Sequence, residues 1–198
     1  MVVFTRYDLN MNSEKVEHAA NLFERLARLI QGDAYGAGLK PVQWEALRYL
    51  ARANRFSRTP SALTAYLGST KGTVSQTLNA LVRKGLVEKT QDHNDRRVVY
   101  LSLTDTGEQL LKEDSLQRLR QAIGEIDDDR LPAFTQDLER VLYSHIARNK
   151  GRAFKQCRTC RFFRETPDAE SPFRCGALDV PLSTEDSLKI CAEQEDAA

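Results

Sequence analysis

The side chains best equipped for chemistry are four cysteines, all lying between Cys157 and Cys191. Cys157-Arg158-Thr159-Cys160 sets two thiols two residues apart, and Cys175 and Cys191 follow after fourteen and fifteen further residues. One Cys-x-x-Cys knuckle plus two later thiols supplies the four soft ligands that tetrahedral zinc prefers. The same set could hold an iron–sulfur cluster or act as a thiol redox sensor, and an unmetallated, disordered extension is a third reading. Lys155, Arg158, Arg161 and Arg164 surround the first pair. Cations there favour thiolates and offset the charge of about −2 on a four-thiolate zinc centre. With only Phe162, Phe163, Phe173, Leu178, Leu182, Leu188 and Ile190 to bury, this segment falls short of an independent core. Folding energy from a metal would make up the difference, so structural zinc is the expected occupant, with little effect on the rest of the chain.

A second set of side chains is polar and basic. The net charge of +1 hides an uneven distribution: residues 54–100 carry eight Lys and Arg against three acids, whereas residues 101–149 carry six against ten. The positive part contains Thr70, Lys71, Thr73, Ser75, Gln76, Asn79 and Arg83, interleaved with Val74, Leu78, Leu81 and Val82 at helical spacing. It also contains the run Asp92-His93-Asn94-Asp95-Arg96-Arg97. Short polar side chains at the start of a helix can donate and accept at base edges in a major groove. Lys71, Arg83 and Lys84 suit phosphates, which provide affinity without sequence information and leave specificity to Ser75 and Gln76. Asp95 can fix the guanidinium of Arg96 or Arg97 as it points into a narrow minor groove.

The elements that must position these groups follow from local signals. Thr59 can cap a short helix with Pro60 at its first position, and Gly68 ends it. Ser69 or Thr70 can cap the next helix, which Gly85 stops. Residues 86–91 and 98–103 then read as two strands joined by the charged run. Helix, turn, helix and charged hairpin outline a winged helix-turn-helix.

In order and spacing, Arg83-Lys84-Gly85-Leu86-Val87, Asp92 to Arg97 and Leu103-Thr104-Asp105-Thr106-Gly107 resemble the MarR family of bacterial transcription regulators. The resemblance covers roughly three-quarters of the chain and leaves the cysteine segment out. It implies a homodimer joined through its first and last helices, double-stranded DNA as partner, and insertion of one wing arginine into the minor groove. It also implies a pocket between the support layer and the dimer helices, where Trp44 or Tyr49 could touch a small-molecule effector.

The flanks fit that outline. Residues 1–12 read as an arm before Ser13, and Val16, Ala19, Phe23, Leu26 and Ile30, widened by Leu22 and Leu29, form a broad apolar stripe up to Gln31. A break at 32–39 precedes a helix opened by Pro41 and carrying Trp44, Leu47 and Leu50. Residues 104–126 read as one long helix, and Leu131-Pro132 begins another that runs to about Arg148. His18, His93 and His145 share no ligand spacing. No apolar run approaches the roughly 20 residues that span a bilayer, and no signal peptide is visible, so a cytoplasmic protein without membrane contact is expected.

The sequence therefore predicts a mainly α chain with a small β-hairpin wing (α+β): residues 1–150 form a winged helix-turn-helix with a helical dimerisation stem, and 151–198 a four-cysteine module. The function expected is that of a DNA-binding regulator, a repressor, rather than an enzyme. A dithiol oxidoreductase lacks its βαβ setting, and a zinc-knuckle scaffold for proteins is the remaining alternative.

Overall fold

The computed structural model describes residues 6–33, 38–93, 95–166 and 171–196. Helix α1 covers Arg6–Asp33, so Ser13 lies inside it and does not cap it, and the expected arm is already helical from Arg6. Residues 6–12 contain neither Gly nor Pro, so nothing stops the helix from propagating amino-terminally. Residues 1–5 and most of the expected break after Asp33 lie outside the described residues.

Helix α2, Pro41–Arg52, opens with proline at its first turn while Gln43 Oε1 accepts from the Lys40 amide at 2.8 Å. Helix α3, Pro60–Leu67, is capped by Thr59, whose hydroxyl accepts from the Ala62 amide at 3.2 Å, and it ends on Gly68 in the left-handed region. Helix α4, Lys71–Arg83, is capped by Thr70 through the Thr73 amide. Strands β1, Val87–Gln91, and β2, Val99–Leu103, pair antiparallel with Val87 opposite Leu103.

The three helices and the hairpin share one core. Trp44, Leu47 and Leu50 from α2 meet Leu63 from α3, Val74, Leu78 and Leu81 from α4, and Val87 and Leu101 from the hairpin, all buried. On α4 the buried row runs through Thr77, whereas Val82, expected on that row, is exposed. Thr77 tolerates burial because its hydroxyl donates to the Thr73 carbonyl at 2.9 Å.

A clasp joins the hairpin to the next helix. The Thr104 hydroxyl donates to the Gly85 carbonyl at 2.6 Å and accepts from the Gly107 amide at 3.1 Å, while the Thr104 amide donates to Leu86. A Cβ at Gly107 would stand 2.3 Å from the Leu86 carbonyl oxygen, so only glycine allows this approach. Helix α5, Asp105–Lys112, starts there.

The long helix expected over 104–126 is instead two, α5 and α6, Leu116–Gly124. The interruption falls at Asp114, whose buried carboxylate accepts from Arg48 Nε at 2.9 Å and Nη2 at 2.5 Å and from the Leu116 amide at 3.1 Å. A bidentate ion pair to α2 outweighs continuation of the helix. Helix α7, Leu131–Arg148, follows. Along α1 and α7, Val16, Leu22, Phe23, Leu26, Leu29, Phe134, Val141 and Leu142 are all exposed. Among the described residues, no helix is long and apolar enough to cross a membrane.

The remaining segment forms a three-stranded antiparallel sheet, β3 Phe163–Glu165, β4 Phe173–Cys175 and β5 Val180–Leu182, and a short helix α8, Thr184–Leu188. It packs directly on the winged unit. Phe154, at a left-handed φ of 50°, is buried edge-on to Tyr49 and Tyr66 at centroid distances of 5.9 and 5.2 Å. Residues 189–192 lie as a strip between two parts of the chain. On one side, the Asn54 amide donates to Ile190, the Ile190 amide to Arg52, and the Ala192 amide to the Ser57 hydroxyl. On the other, the Cys157 amide donates to Lys189 and the Cys191 amide to Lys155.

Candidate nucleic-acid interface and thiol cluster

Helix α4 presents Lys71, Thr73, Ser75, Gln76, Asn79 and Arg83 to solvent, as it does the capping residue Thr70. Two of these side chains are engaged locally: the hydroxyls of Thr70 and Thr73 share a hydrogen bond at 2.9 Å, which fixes the first turn. Asn79 Oδ1 accepts from Lys89 Nζ at 2.7 Å, joining α4 to the wing strand β1. Lys89 was not singled out by the sequence, because its strand position carries no motif. Lys84 donates to the Gly38 carbonyl at 3.1 Å, which ties down one of the cations expected to reach phosphates. Ser75 and Gln76 stay at the outer face of α4, beside a cleft of about 220 Å³ that Lys71, Ser75 and Lys89 help to line.

At the wing, Asp95 holds Arg97. Its Oδ1 accepts from the Arg97 amide at 3.0 Å and from Nε at 2.9 Å, and its Oδ2 accepts from Nη2 at 2.9 Å. The Asp95 amide in turn donates to the Asp92 carboxylate at 2.9 Å. The Arg97 hydrogen bonds hold the Asp95 carboxyl below the usual carboxylate range, and the same pair raises the Arg97 guanidinium. Arg97 nevertheless remains 90% exposed. Asn94 lies outside the described residues.

Trp44 and Tyr49 are core residues, 3% and 0% exposed. Arg48 lies over the Trp44 ring at 5.8 Å, and the Tyr49 hydroxyl donates to the Ser57 carbonyl at 2.6 Å. Burial above all, with Cys191 and Tyr66 nearby, pushes the Tyr49 phenol well above the ordinary tyrosine range. A cavity of about 900 Å³ lies between α2, α3, α7 and the carboxy-terminal segment, lined by Arg48, Arg52, Tyr66, Tyr143, Arg152 and Phe154 among others. Neither Trp44 nor Tyr49 is in its wall, because packing turns both inward.

The four cysteines are free thiols: Cys157 and Cys191 are buried, Cys160 and Cys175 half-buried. The Cys160 amide donates to the Cys157 carbonyl at 3.0 Å, and the Cys157 thiol is pushed up to about 12, first by burial and then by Cys191, Cys175 and Cys160. Cys157, Cys191 and Cys175 pack with Leu182, Phe163, Phe173 and, from the winged unit, Phe56. Among the described residues, no three ligating side chains are drawn up around a single point as a metal ion requires.

This architecture can be set beside known proteins. Residues 37–98 match the model of the MarR family. The HTH-type transcriptional regulator YkoM of Bacillus subtilis is 32% identical over 114 residues, covering 52% of this chain and 70% of that protein. The chain belongs to the MarR family. The transcriptional repressor MprA of Escherichia coli is 25% identical over 143 residues, 69% of this chain and 75% of its own. Among solved structures, Streptococcus pneumoniae FabT in complex with DNA has a TM-score of 0.54 at 24% identity, over 69% of this chain and 97% of that one. A MarR regulator from Methanosarcina mazei gives 0.53 at 24% identity, over 68% and 98%. Both structures share the fold. The cysteine segment lies outside the stretch matched by the MarR family model.

Proposed function

We propose that this MarR-family transcription regulator is a cytoplasmic homodimer that binds double-stranded DNA and represses transcription, and that it is not an enzyme. The observation that carries the reading is the outer face of α4: polar side chains line it while its first turn is locked from within by Thr70 and Thr73. Such a helix enters a major groove already formed, with Ser75 and Gln76 toward base edges and Lys71 and Arg83 toward phosphates. Arg97, held by Asp95 yet exposed, is the arginine set for the minor groove, with Arg96 beside it. MprA is a repressor and FabT was solved with DNA, which supports the same roles here.

The dimer reading rests on α1 and α7, whose exposed apolar rows would cover each other in a pair of chains. The large cavity beside α7, with three arginines and three aromatic rings in its wall, is the place for a small-molecule effector. The test is binding to a pseudo-palindromic duplex with half-sites about one helical turn apart. Arg97→Ala should weaken binding about ten-fold or more, the scale of one good groove contact. Unchanged affinity in Arg96→Ala and Arg97→Ala together would take the wing out of the mechanism.

A further inference from the structure

The four thiols are not isolated from the DNA-binding unit. Cys191 lies in the 189–192 strip, whose backbone is bonded on one side to Lys155 and Cys157 and on the other to Arg52, Asn54 and Ser57. Arg55 adds an ion pair to Asp186 at 3.2 Å and a hydrogen bond to the Pro181 carbonyl at 2.6 Å. The connection at 53–59 leads straight into α3, and the Arg58 carbonyl accepts from the Leu101 amide at 2.7 Å, in wing strand β2. One short connection thus joins the thiol cluster, the helix before the recognition helix and the wing.

We infer that Cys157, Cys160, Cys175 and Cys191 form one tetrathiolate site for a thiophilic metal centre, and that its occupancy sets the position of the α2–α3 connection and hence affinity for DNA. This inference rests on the DNA-binding reading above. The donor set is all sulfur: Cys157, Cys191 and Cys175 pack together with Phe56, Phe163, Phe173 and Leu182, and Cys160 sits one turn from Cys157, its amide donating to the Cys157 carbonyl at 3.0 Å. Among the described residues no set of ligating side chains is already drawn up around one point, so binding a metal here requires the thiols to move inward. When Cys191 moves, the strip moves with it, and the strip is hydrogen-bonded to the connection. Zinc and an iron–sulfur cluster share this chemistry, and zinc needs only the four thiolates.

The experiment uses the full chain. Metal, iron and sulfide are assayed alongside the absorption spectrum, and duplex affinity is measured as isolated, after chelation, and after reloading with zinc chloride or, anaerobically, with iron and sulfide. About one zinc per colourless chain, or a brown protein with iron and sulfide, each supports the site and says which centre fills it. The emptied chain should bind DNA about ten-fold more weakly and recover on reloading, within the range of ordinary allosteric coupling. Because Cys175→Ser could unfold the segment, Arg55→Ala is the second variant: it spares every thiol, should keep the metal, and should shrink the loaded-to-empty ratio. A chain that takes up no metal, or a ratio within two-fold of unity in the wild type, overturns the inference. If no form binds DNA, the DNA reading fails on its own. Hydrogen exchange at 52–58 on loading then decides the coupling, slower exchange supporting it and unchanged exchange overturning it.

Discussion

Leu47 on α2 and Leu142 on α7 are the same side chain in opposite conditions, 0% and 52% exposed. Leu47 belongs to a core to which α2, α3, α4, both wing strands and, from the carboxy-terminal segment, Phe154 and Ala192 contribute, so that core is filled from this chain alone. Leu142 belongs to a stem whose apolar rows meet solvent. Each fully buried side chain of this size stabilises by about 1.5–3 kcal/mol, so a stem that leaves many of them exposed gives up stability the winged unit keeps. The winged unit is finished within one chain. In the proposed dimer a second chain covers the stem, and its stability should then depend on concentration.

The strongest way to break this contrast is at the junction of the two regions. Asp114 is buried against Arg48 and sets where α6 begins. Asp114→Ala leaves a guanidinium without its partner and removes the stop between α5 and α6, and should cost about 3–5 kcal/mol. Chemical denaturation checks this, and circular dichroism should show the 113–115 interruption becoming helical. A loss below 1 kcal/mol would show that the pair holds neither region.

The contrast sharpens at the two leucines. Leu47→Ala should cost about 2–5 kcal/mol at any protein concentration, because it opens a cavity in a closed core. Leu142→Glu should leave the winged unit folded but abolish the doubled mass in light scattering, and the unfolding midpoint should lose its dependence on concentration. A dimer that survives Leu142→Glu together with Leu22→Glu would place the interface elsewhere.

How much of this was legible in sequence divides along a similar line. Thr59, Pro60, Gly68, Thr70 and Gly85 announce the winged unit because each acts within a few residues of itself, through a cap, a fixed φ or a left-handed turn. The hairpin limits came within one residue for the same reason. What escaped is long-range. The pair from Arg48 to Asp114 spans 66 positions, and the Ser57 bond to Ala192 spans 135. Periodicity contains no trace of either, so the segment after residue 150 read as an appendage, although Phe154 and Ala192 belong to the main core. The exchange of Thr77 for Val82 on the buried row is a smaller miss: a threonine that bonds its own helix can be buried in a row where a valine was expected.

The smallest expected effect separates positioning from reading on one helix, α4. Thr70 caps it, and its hydroxyl accepts from the Thr73 amide and pairs with the Thr73 hydroxyl. Gln76, one turn further on, is exposed at the outer face. Thr70→Ala should therefore lower unfolding stability by about 0.5–2 kcal/mol, and DNA affinity should fall for every duplex alike, because the frame has loosened and no base contact has gone. Thr70→Ser keeps the acceptor and should restore both. Gln76→Ala should leave stability within about 0.5 kcal/mol, since an exposed polar residue away from a cap contributes little to folding. It should instead flatten the preference among duplexes that differ at one base pair of a half-site, a loss worth about 1–3 kcal/mol for a good bidentate contact. If Thr70→Ala altered base preference and Gln76→Ala altered only stability, the roles assigned along α4 would be reversed.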